Sequence, residues 1–207
     1  MLSLVFVTLF ATSAAHASLI SFNASHAPAL TDWLPGKALS LQQFNPQLGT
    51  LNAVTFVFSG GLRSDFNIRT NAATAEQVTT RVSGSMDFVL PSGTQTSLAL
   101  NASQLLSLGA GGSAINSVTA DGDTTLHSLT DFSPFIGFGN FNVTVSALAK
   151  TLFIGSGNLS GGADTYARAS ARVTYNYSPM QQAVPEPASL ALVGLALGAL
   201  LLSRRRA

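Results

Sequence analysis

The sequence lacks cysteine and has few charged residues. None of the 207 residues is cysteine, and only 9% are charged, where about a quarter is usual. Without cysteine the chain has no disulfide framework, no thiolate metal site and no cysteine nucleophile. The formal net charge of +1, with no basic stretch in the middle of the chain, argues against a nucleic-acid-binding protein. The 46% of hydrophobic residues excludes a disordered chain.

The first 17 residues have the pattern of a secretory signal peptide. A short apolar run, LVFVTLFA, is followed by small residues that end in Ala15-His16-Ala17. Signal peptidase accepts small residues such as Ala15 and Ala17 at positions −3 and −1 before the cleaved bond. We therefore predict cleavage between Ala17 and Ser18 and export of the remaining chain.

The C-terminal segment contains a Pro-Glu-Pro triplet, an apolar stretch and an arginine cluster, in that order. These parts are Pro185, Glu186 and Pro187, then residues 188–202, then Arg204, Arg205 and Arg206. A helix over the apolar stretch reaches roughly 22 Å, which is short of the roughly 30 Å hydrocarbon core. We expect a transmembrane helix that holds the chain temporarily, with the arginines as a stop-transfer cluster on the cytoplasmic side. The alternative is an ordinary single-span anchor.

This arrangement resembles the PEP-CTERM sorting signal of Gram-negative bacteria. The resemblance implies that an exosortase, a membrane-embedded cysteine transpeptidase, recognises Pro185, Glu186 and Pro187, cleaves near them and passes the chain outward. The prolines keep this backbone extended and outside the helix, which suits presentation to an enzyme. Proteins with the signal typically accompany exopolysaccharide and biofilm gene clusters. The resemblance therefore implies a mature chain at the cell surface or in the extracellular matrix.

The body of the chain, residues 18–178, alternates between apolar and polar residues with a period of two. This pattern is typical of half-buried strands. The segments that show it are 19–22, 38–44, 54–59, 65–69, 81–90, 141–147, 150–154 and 169–177. Turn residues separate them at Ser59-Gly60-Gly61, at Pro91-Ser92-Gly93 and over 155–162. The sequence predicts one all-β domain, a jelly-roll-like antiparallel β-sandwich, joined by the linker 179–183 to the sorting signal.

One stretch interrupts this rhythm. Residues 101–108, NASQLLSL, favour a short helix with Asn101 or Ser103 as its N-cap. Residues 109–131 contain Gly109, Gly111 and Gly112, and favour a long loop. A loop of that length inside a compact domain is functional or mobile.

Three pieces of the body are similar to the choice-of-anchor E type of domain. They are LQQFNPQLGTL at 41–51, SPFIGFG at 133–139 and the segment 169–177. Such domains are extracellular bacterial modules that are attached to exchangeable C-terminal anchors. The resemblance implies a secreted β-rich domain and transfers no catalytic residues.

Calcium is the one metal that the sequence suggests. Asp121-Gly122-Asp123, together with Asp131, offers the hard oxygen ligands that calcium prefers, on a predicted glycine-rich loop. The EF-hand pattern is absent, and the alternative is a plain turn. We expect no other cofactor.

The sequence does not predict an enzyme. The exported region contains His26 and His127 as its histidines, and no Gly-x-Ser-x-Gly nucleophile motif or distinctive pair of carboxylates accompanies them. Trp33 is a candidate carbohydrate contact if it is exposed, and a core residue otherwise. We expect a non-catalytic structural or adhesive protein of the exopolysaccharide matrix. The alternatives are a carbohydrate-binding module and, after that, a secreted hydrolase.

Overall fold

The structure, a computed structural model, describes residues 17–127, 129, 131–156, 158–180 and 194. The predicted signal peptide up to residue 16 therefore lies outside the described residues. So does the sorting segment from residue 181 onward, Gly194 excepted. Within the described part, no helix has the length and apolar character needed to cross a membrane.

The described residues form eight strands and two short 3₁₀ turns. The strands are β1 Ser18–Leu30, β2 Trp33–Gln42, β3 Gly49–Thr70, β4 Glu76–Val89, β5 Gln95–Leu108, β6 Ser113–Leu126, β7 Asn140–Ile154 and β8 Leu159–Pro179. The 3₁₀ turns are Pro46–Leu48 and Ser133–Phe135.

The strands pair into two four-stranded sheets, and every pairing between them is antiparallel. Sheet A has the order β1-β8-β3-β6, and sheet B has the order β2-β7-β4-β5. Apart from the hairpin β4–β5 within sheet B, consecutive strands alternate between the sheets. In addition, β1 lies beside β8, and this is the strand order of a double-sheet jelly roll. The predicted all-β sandwich is confirmed.

Apolar residues on the inner faces of the two sheets form the core. Phe58 on β3 stacks on Phe88 on β4 with ring centroids 4.6 Å apart, which ties sheet A to sheet B. On the neighbouring strand β8, the residue opposite Phe58 is the small Ala171, which leaves space for the phenylalanine rings. Tyr175 is fully buried, and its hydroxyl donates to the Gln42 carbonyl oxygen at 2.8 Å. Burial raises the pKa of Tyr175.

The prediction of a helix at 101–108 is wrong, because this segment is the second half of strand β5. Leu98, Leu100 and Leu108 are buried on one face of the strand, while Leu105 is 59% exposed on the other. Leu105 and Leu108 are three residues apart, as on one face of a helix, but the burial in the structure follows a period of two.

The prediction of a long loop over 109–131 is also wrong. Strand β6 occupies most of it, and its inner face buries Val118 and Ala120. The Asp121-Gly122-Asp123 sequence lies within this strand, paired with β3, and makes no turn.

Gly60-Gly61, predicted as part of a turn, lies in the middle of the long strand β3. A Cβ on Gly60 would collide with the Met86 sulfur in the core, while a Cβ on Gly61 would collide with side chains on the outer face. The glycines therefore mark close packing on both faces of one strand. By contrast, the predicted turn at Pro91-Ser92-Gly93 is confirmed, and Gly93 has a φ of 82°. The predicted separator 155–162 is shorter than expected, since β8 begins at Leu159.

Candidate functional site

The outer face of sheet A carries a polar groove that crosses all four strands. One register row places Ser25 of β1, Ser170 of β8, Ser59 of β3 and Asp123 of β6 side by side. These positions face outward because they alternate with the buried residues of the same strands. The row therefore presents three hydroxyl groups and one carboxylate to the surroundings.

The next row holds an ion pair that passes over a glycine. Gly61 lies between Arg168 of β8 and Asp121 of β6, its register partners on either side. The Arg168 guanidinium Nη2 donates to Asp121 Oδ1 at 2.9 Å. A Cβ on Gly61 would collide with the Asp121 carboxylate and lie 2.6 Å from Arg168 Nε. The ion pair can reach across β3 because this position lacks a side chain.

The groove continues in both directions along the sheet. Its central part has a volume of about 640 Å³ and includes the serine row and the ion pair. A part of about 370 Å³ extends it past Asn23 and Arg172, and a part of about 500 Å³ extends it past Arg63 and Tyr166. We call these three parts together the sheet A groove.

A second ion pair lies on the same face. Arg63 Nε donates to Asp65 Oδ1 at 2.7 Å, both on β3. Among the described residues, the ion pairs Arg63–Asp65 and Arg168–Asp121 are the only two, so both belong to the outer face of sheet A. Surface ion pairs contribute little to folding stability. Their main effect here is to fix the positions of donors and acceptors along the groove.

His26 borders the sheet A groove at the edge strand β1. Its Nδ1 lies 2.7 Å from the Ala27 carbonyl oxygen, and its ring lies against Trp33 with centroids 4.9 Å apart. Among the described residues, no serine hydroxyl forms a hydrogen bond with His26 or His127. The groove thus brings serine, histidine and aspartate together without the hydrogen-bonded chain that a nucleophilic triad requires.

Trp33 is a core residue and does not contact carbohydrate from the surface. It is 2% exposed, and its indole N–H donates to the Leu30 carbonyl oxygen at 3.0 Å. A sugar ring needs one open face of an aromatic ring, and His26 covers part of this one. The predicted carbohydrate contact required an exposed Trp33, and in the structure Trp33 is buried.

The structure does not bring the proposed calcium ligands together. Asp121 and Asp123 lie on the outer face of β6, where Asp121 is engaged with Arg168. Asp131 lies beyond the end of β6 and accepts from the Ser133 backbone N–H at 2.9 Å. That hydrogen bond lowers the pKa of Asp131. Within the described ranges, no group of three potential metal-binding side chains is present, so the structure does not assemble the three aspartates into one site.

The residues that define the groove, above all Arg168, Gly61 and Ser25, are not among the site residues predicted from the sequence. The alternation of 169–177 placed its polar residues on one face, and it continues back to Arg168. Nothing in the sequence shows that this face lies beside β3 and β1, since that follows from the strand order and register. The groove could be found only after the strands were paired.

Of the predicted targeting residues, only Ala17 lies among the described residues, where it is exposed immediately before β1. Ala15 falls outside them. So do the recognition triplet Pro185, Glu186, Pro187 and the arginines Arg204, Arg205 and Arg206. Their roles stay predictions.

Solved structures with some likeness to the chain include tumour-necrosis-factor and complement folds. The Eiger TNF of S. frugiperda is 6% identical, covers 81% of this chain and 98% of its own, and has a TM-score of 0.32. The globular domain of the zebrafish complement 1qA protein is 11% identical, covers 73% and 94%, and has a TM-score of 0.23. These TM-scores are too low to support an argument about ligand or assembly.

A search among curated proteins finds no significant match. The resemblance of the body to choice-of-anchor E domains stays a prediction. Residues 183–206 match the family model of the PEP-CTERM protein-sorting motif, which confirms the resemblance at the C-terminus. The chain carries a PEP-CTERM sorting motif, the signal for export and for sorting by an exosortase to the surface.

Proposed function

We propose that the exported domain is a non-catalytic structural or adhesive component of the cell surface or exopolysaccharide matrix of a Gram-negative bacterium. In this proposal signal peptidase removes residues 1–17, and the segment 188–202 holds the chain in the cytoplasmic membrane. An exosortase then cuts near Pro185, Glu186 and Pro187. The mature domain contacts polysaccharide through the sheet A groove, and this groove is the single observation that supports the role.

The chemistry of the groove suits a polymer rich in hydroxyl groups. Serine hydroxyls both donate and accept hydrogen bonds, as sugar hydroxyls do. A row of serines can therefore bond to donors and to acceptors of a sugar chain. Arg168 adds donors and the carboxylates of Asp121 and Asp123 add acceptors within the same part of the groove. The three serine hydroxyls of the row are uncharged, so they lose less solvation than ionised side chains would when they meet a sugar chain.

The length of the groove suits a chain rather than a small molecule. From Arg172 to Tyr166 along β8, at roughly 3.3 Å per residue, the groove spans about 20 Å. It lies on an exposed sheet face, so both ends of a polymer can continue past it. Weak contacts repeated along such a polymer give adhesion by avidity.

The environment of the acid and base groups supports a role without catalysis. The His26 Nδ1 is engaged with a backbone carbonyl, and Asp121 forms an ion pair with Arg168. A general acid or base needs a partner within hydrogen-bond reach and a pKa suited to its task. Both groups are already engaged with partners inside the protein.

One observation favours the second candidate, a carbohydrate-binding module with affinity for a discrete oligosaccharide. The half-buried Tyr166 lines the groove beside Arg63 and Arg168, and a tyrosine ring can stack on a pyranose. Saturable binding of short oligosaccharides that Tyr166→Ala abolishes would favour the module. Retention on long polymers alone would favour the adhesive role.

The groove is tested by retention of the exported protein on extracellular polysaccharide from the producing cells. We expect the double variant R168Q/D121N to be retained roughly tenfold more weakly, because a hydrogen bond to a charged group contributes about 1.5–3 kcal/mol. The control Arg81→Gln removes an exposed cation from the outer face of sheet B and keeps full retention. Equal retention of both variants would reject the groove as the contact surface.

Processing is tested separately by mass spectrometry of the exported chain. We expect a mature C-terminus near Pro185, Glu186 and Pro187, and a mature N-terminus at Ser18. An exported chain that still ends in Arg204, Arg205 and Arg206 would contradict exosortase cleavage.

A further inference from the structure

Both ends of the described domain leave the sandwich on the same side. Ser18, the first residue of β1, pairs with Tyr177 near the end of β8. Met180, the last residue after β8, donates its backbone N–H to the Leu48 carbonyl oxygen at 3.1 Å. The loops 43–48 and 90–94 lie on this side, because β2 ends opposite the start of β7 and β4 ends near it.

We call this side the exit end and define it by the described residues 43–48, 90–94, 127, 129, 131–139 and 180. The opposite side, the far end, consists of the other connections. Their described residues are 31–32, 71–75, 109–112, 155, 156 and 158. The chain therefore enters and leaves the domain at the exit end, and the far end is the part most distant from Ser18 and Met180.

The connection to the predicted membrane segment is short. Residues 181–187 separate Met180 from the apolar segment 188–202. A fully extended connection of this length reaches at most about 25 Å. The long strand β3 has 22 residues and a contour of roughly 70 Å. The connection therefore keeps Met180 closer to the start of the apolar segment than the length of the sandwich, which allows the far end to lie outward.

The exit end presents apolar side chains at its tips. Phe138 is 74% exposed and Met180 is 60% exposed, and Leu48 and Ile136 are also among the exposed apolar residues. The loops 43–48 and 90–94 contain no charged residue, and the remaining loop of the exit end carries one exposed carboxylate, Asp131. A surface with exposed aromatic and aliphatic tips and few charges is suited to the interfacial region of a bilayer.

Phe138 is held in its exposed position by backbone hydrogen bonds on both sides. The Gly137 N–H donates to the Phe44 carbonyl oxygen at 2.9 Å, and the Gly139 N–H donates to Gln43 Oε1 at 3.2 Å. In addition, Phe44 and Ile136 form a β-bridge. The phenylalanine thus projects from a fixed loop, so its insertion into a lipid interface costs little conformational entropy.

We infer that the exit end rests on the lipid surface of the membrane before processing, with Phe138 and Met180 inserted at the interface. This inference rests on the proposed function, because it requires that the segment 188–202 is held in the membrane. In this orientation the domain contacts the membrane with its exit end, and the outer face of sheet A stays accessible to the surroundings. It also keeps the connection 181–187 close to the membrane, where the exosortase acts.

The absence of cysteine from the chain makes a direct test possible. The full chain is reconstituted in phosphatidylcholine and phosphatidylglycerol vesicles as Phe138→Cys or as Ile115→Cys, each labelled with an environment-sensitive fluorophore. Ile115 is 89% exposed near the start of β6, on the far-end side. Neither position is buried, so neither variant threatens the fold.

We expect the label at position 138 to shift to shorter wavelength and to be quenched at least about fivefold less by a water-soluble quencher than the label at 115. Equal quenching at both positions in chains that float with the vesicles would overturn the orientation while leaving the membrane step intact. Chains that do not float with the vesicles would overturn both the membrane step and the orientation.

Discussion

The two faces of sheet A are built from the same strands and have opposite chemistry. On β3 the inward residues include Phe56, Phe58 and Leu62, all fully buried. The outward residues between and beside them include Ser59 and Arg63, which border the sheet A groove. A shift of one residue along the strand thus changes a core position into a surface position.

This difference separates, along a single strand, the residues that stabilise the fold from the residues that face the surroundings. The inner face contributes through burial of apolar area, which is the dominant favourable term in folding. The outer face contributes exposed hydrogen bonds and ion pairs, which add little to folding because water competes for them. Substitutions on the two faces are therefore expected to affect different measurements.

The largest effect is expected for Phe58→Ala on the inner face. Phe58 is fully buried and stacks on Phe56 and Phe88. Its truncation therefore leaves a cavity between the sheets. We expect a loss of about 3–5 kcal/mol in the free energy of unfolding, measured by urea titration. The neighbouring outward substitution Ser59→Ala is the matched control, with an expected change within about 0.5 kcal/mol. A similar loss for both variants would contradict the division between the faces.

A smaller effect on stability and a larger effect on binding are expected for Gly61→Val on the outer face. The new side chain would occupy the space between Arg168 and Asp121 and separate the ion pair. We expect a loss of about 1–3 kcal/mol from overpacking. We also expect polysaccharide retention to fall as far as in R168Q/D121N.

The control for this substitution is Gly109→Val. A Cβ at Gly109 meets no atom within 4 Å, so the same side chain enters open space there. If the Gly61→Val variant is retained on polysaccharide as well as the natural chain, binding requires neither the free space above Gly61 nor the Arg168–Asp121 ion pair.

The sequence was sufficient to predict the fold class because the alternation is strong where the core is large. Segments such as 54–59 and 141–147 have bulky apolar residues at every second position, and they became strands. The prediction failed where small or paired residues weaken the contrast. Residues 101–108 contain adjacent leucines, and β6 buries only Val118 and Ala120.

The groove was beyond prediction for a different physical reason. Its residues come from β1, β8, β3 and β6, which are neighbours in space and distant in sequence. Gly61 shows the problem in one residue: a Gly-Gly pair is typical of a turn, and only the pairing with Arg168 and Asp121 reveals why a side chain is excluded.

The smallest expected effect concerns a carboxylate outside both faces, Asp131, whose side chain accepts from the Ser133 backbone N–H. This hydrogen bond lowers the pKa of Asp131 below its usual value of 3.8. The stability that it contributes is therefore present above about pH 4 and is lost as the pH falls through the lower folded-state pKa. We expect Asp131→Asn to lower the melting temperature slightly at pH 6, with a difference from the natural chain that shrinks below about pH 3.

Ser133→Ala keeps the backbone N–H, the main cause of the shift, and retains most of the pH dependence. A difference between the natural chain and Asp131→Asn that stays constant from pH 6 to below about pH 3 would show that the carboxylate charge contributes nothing to this loop.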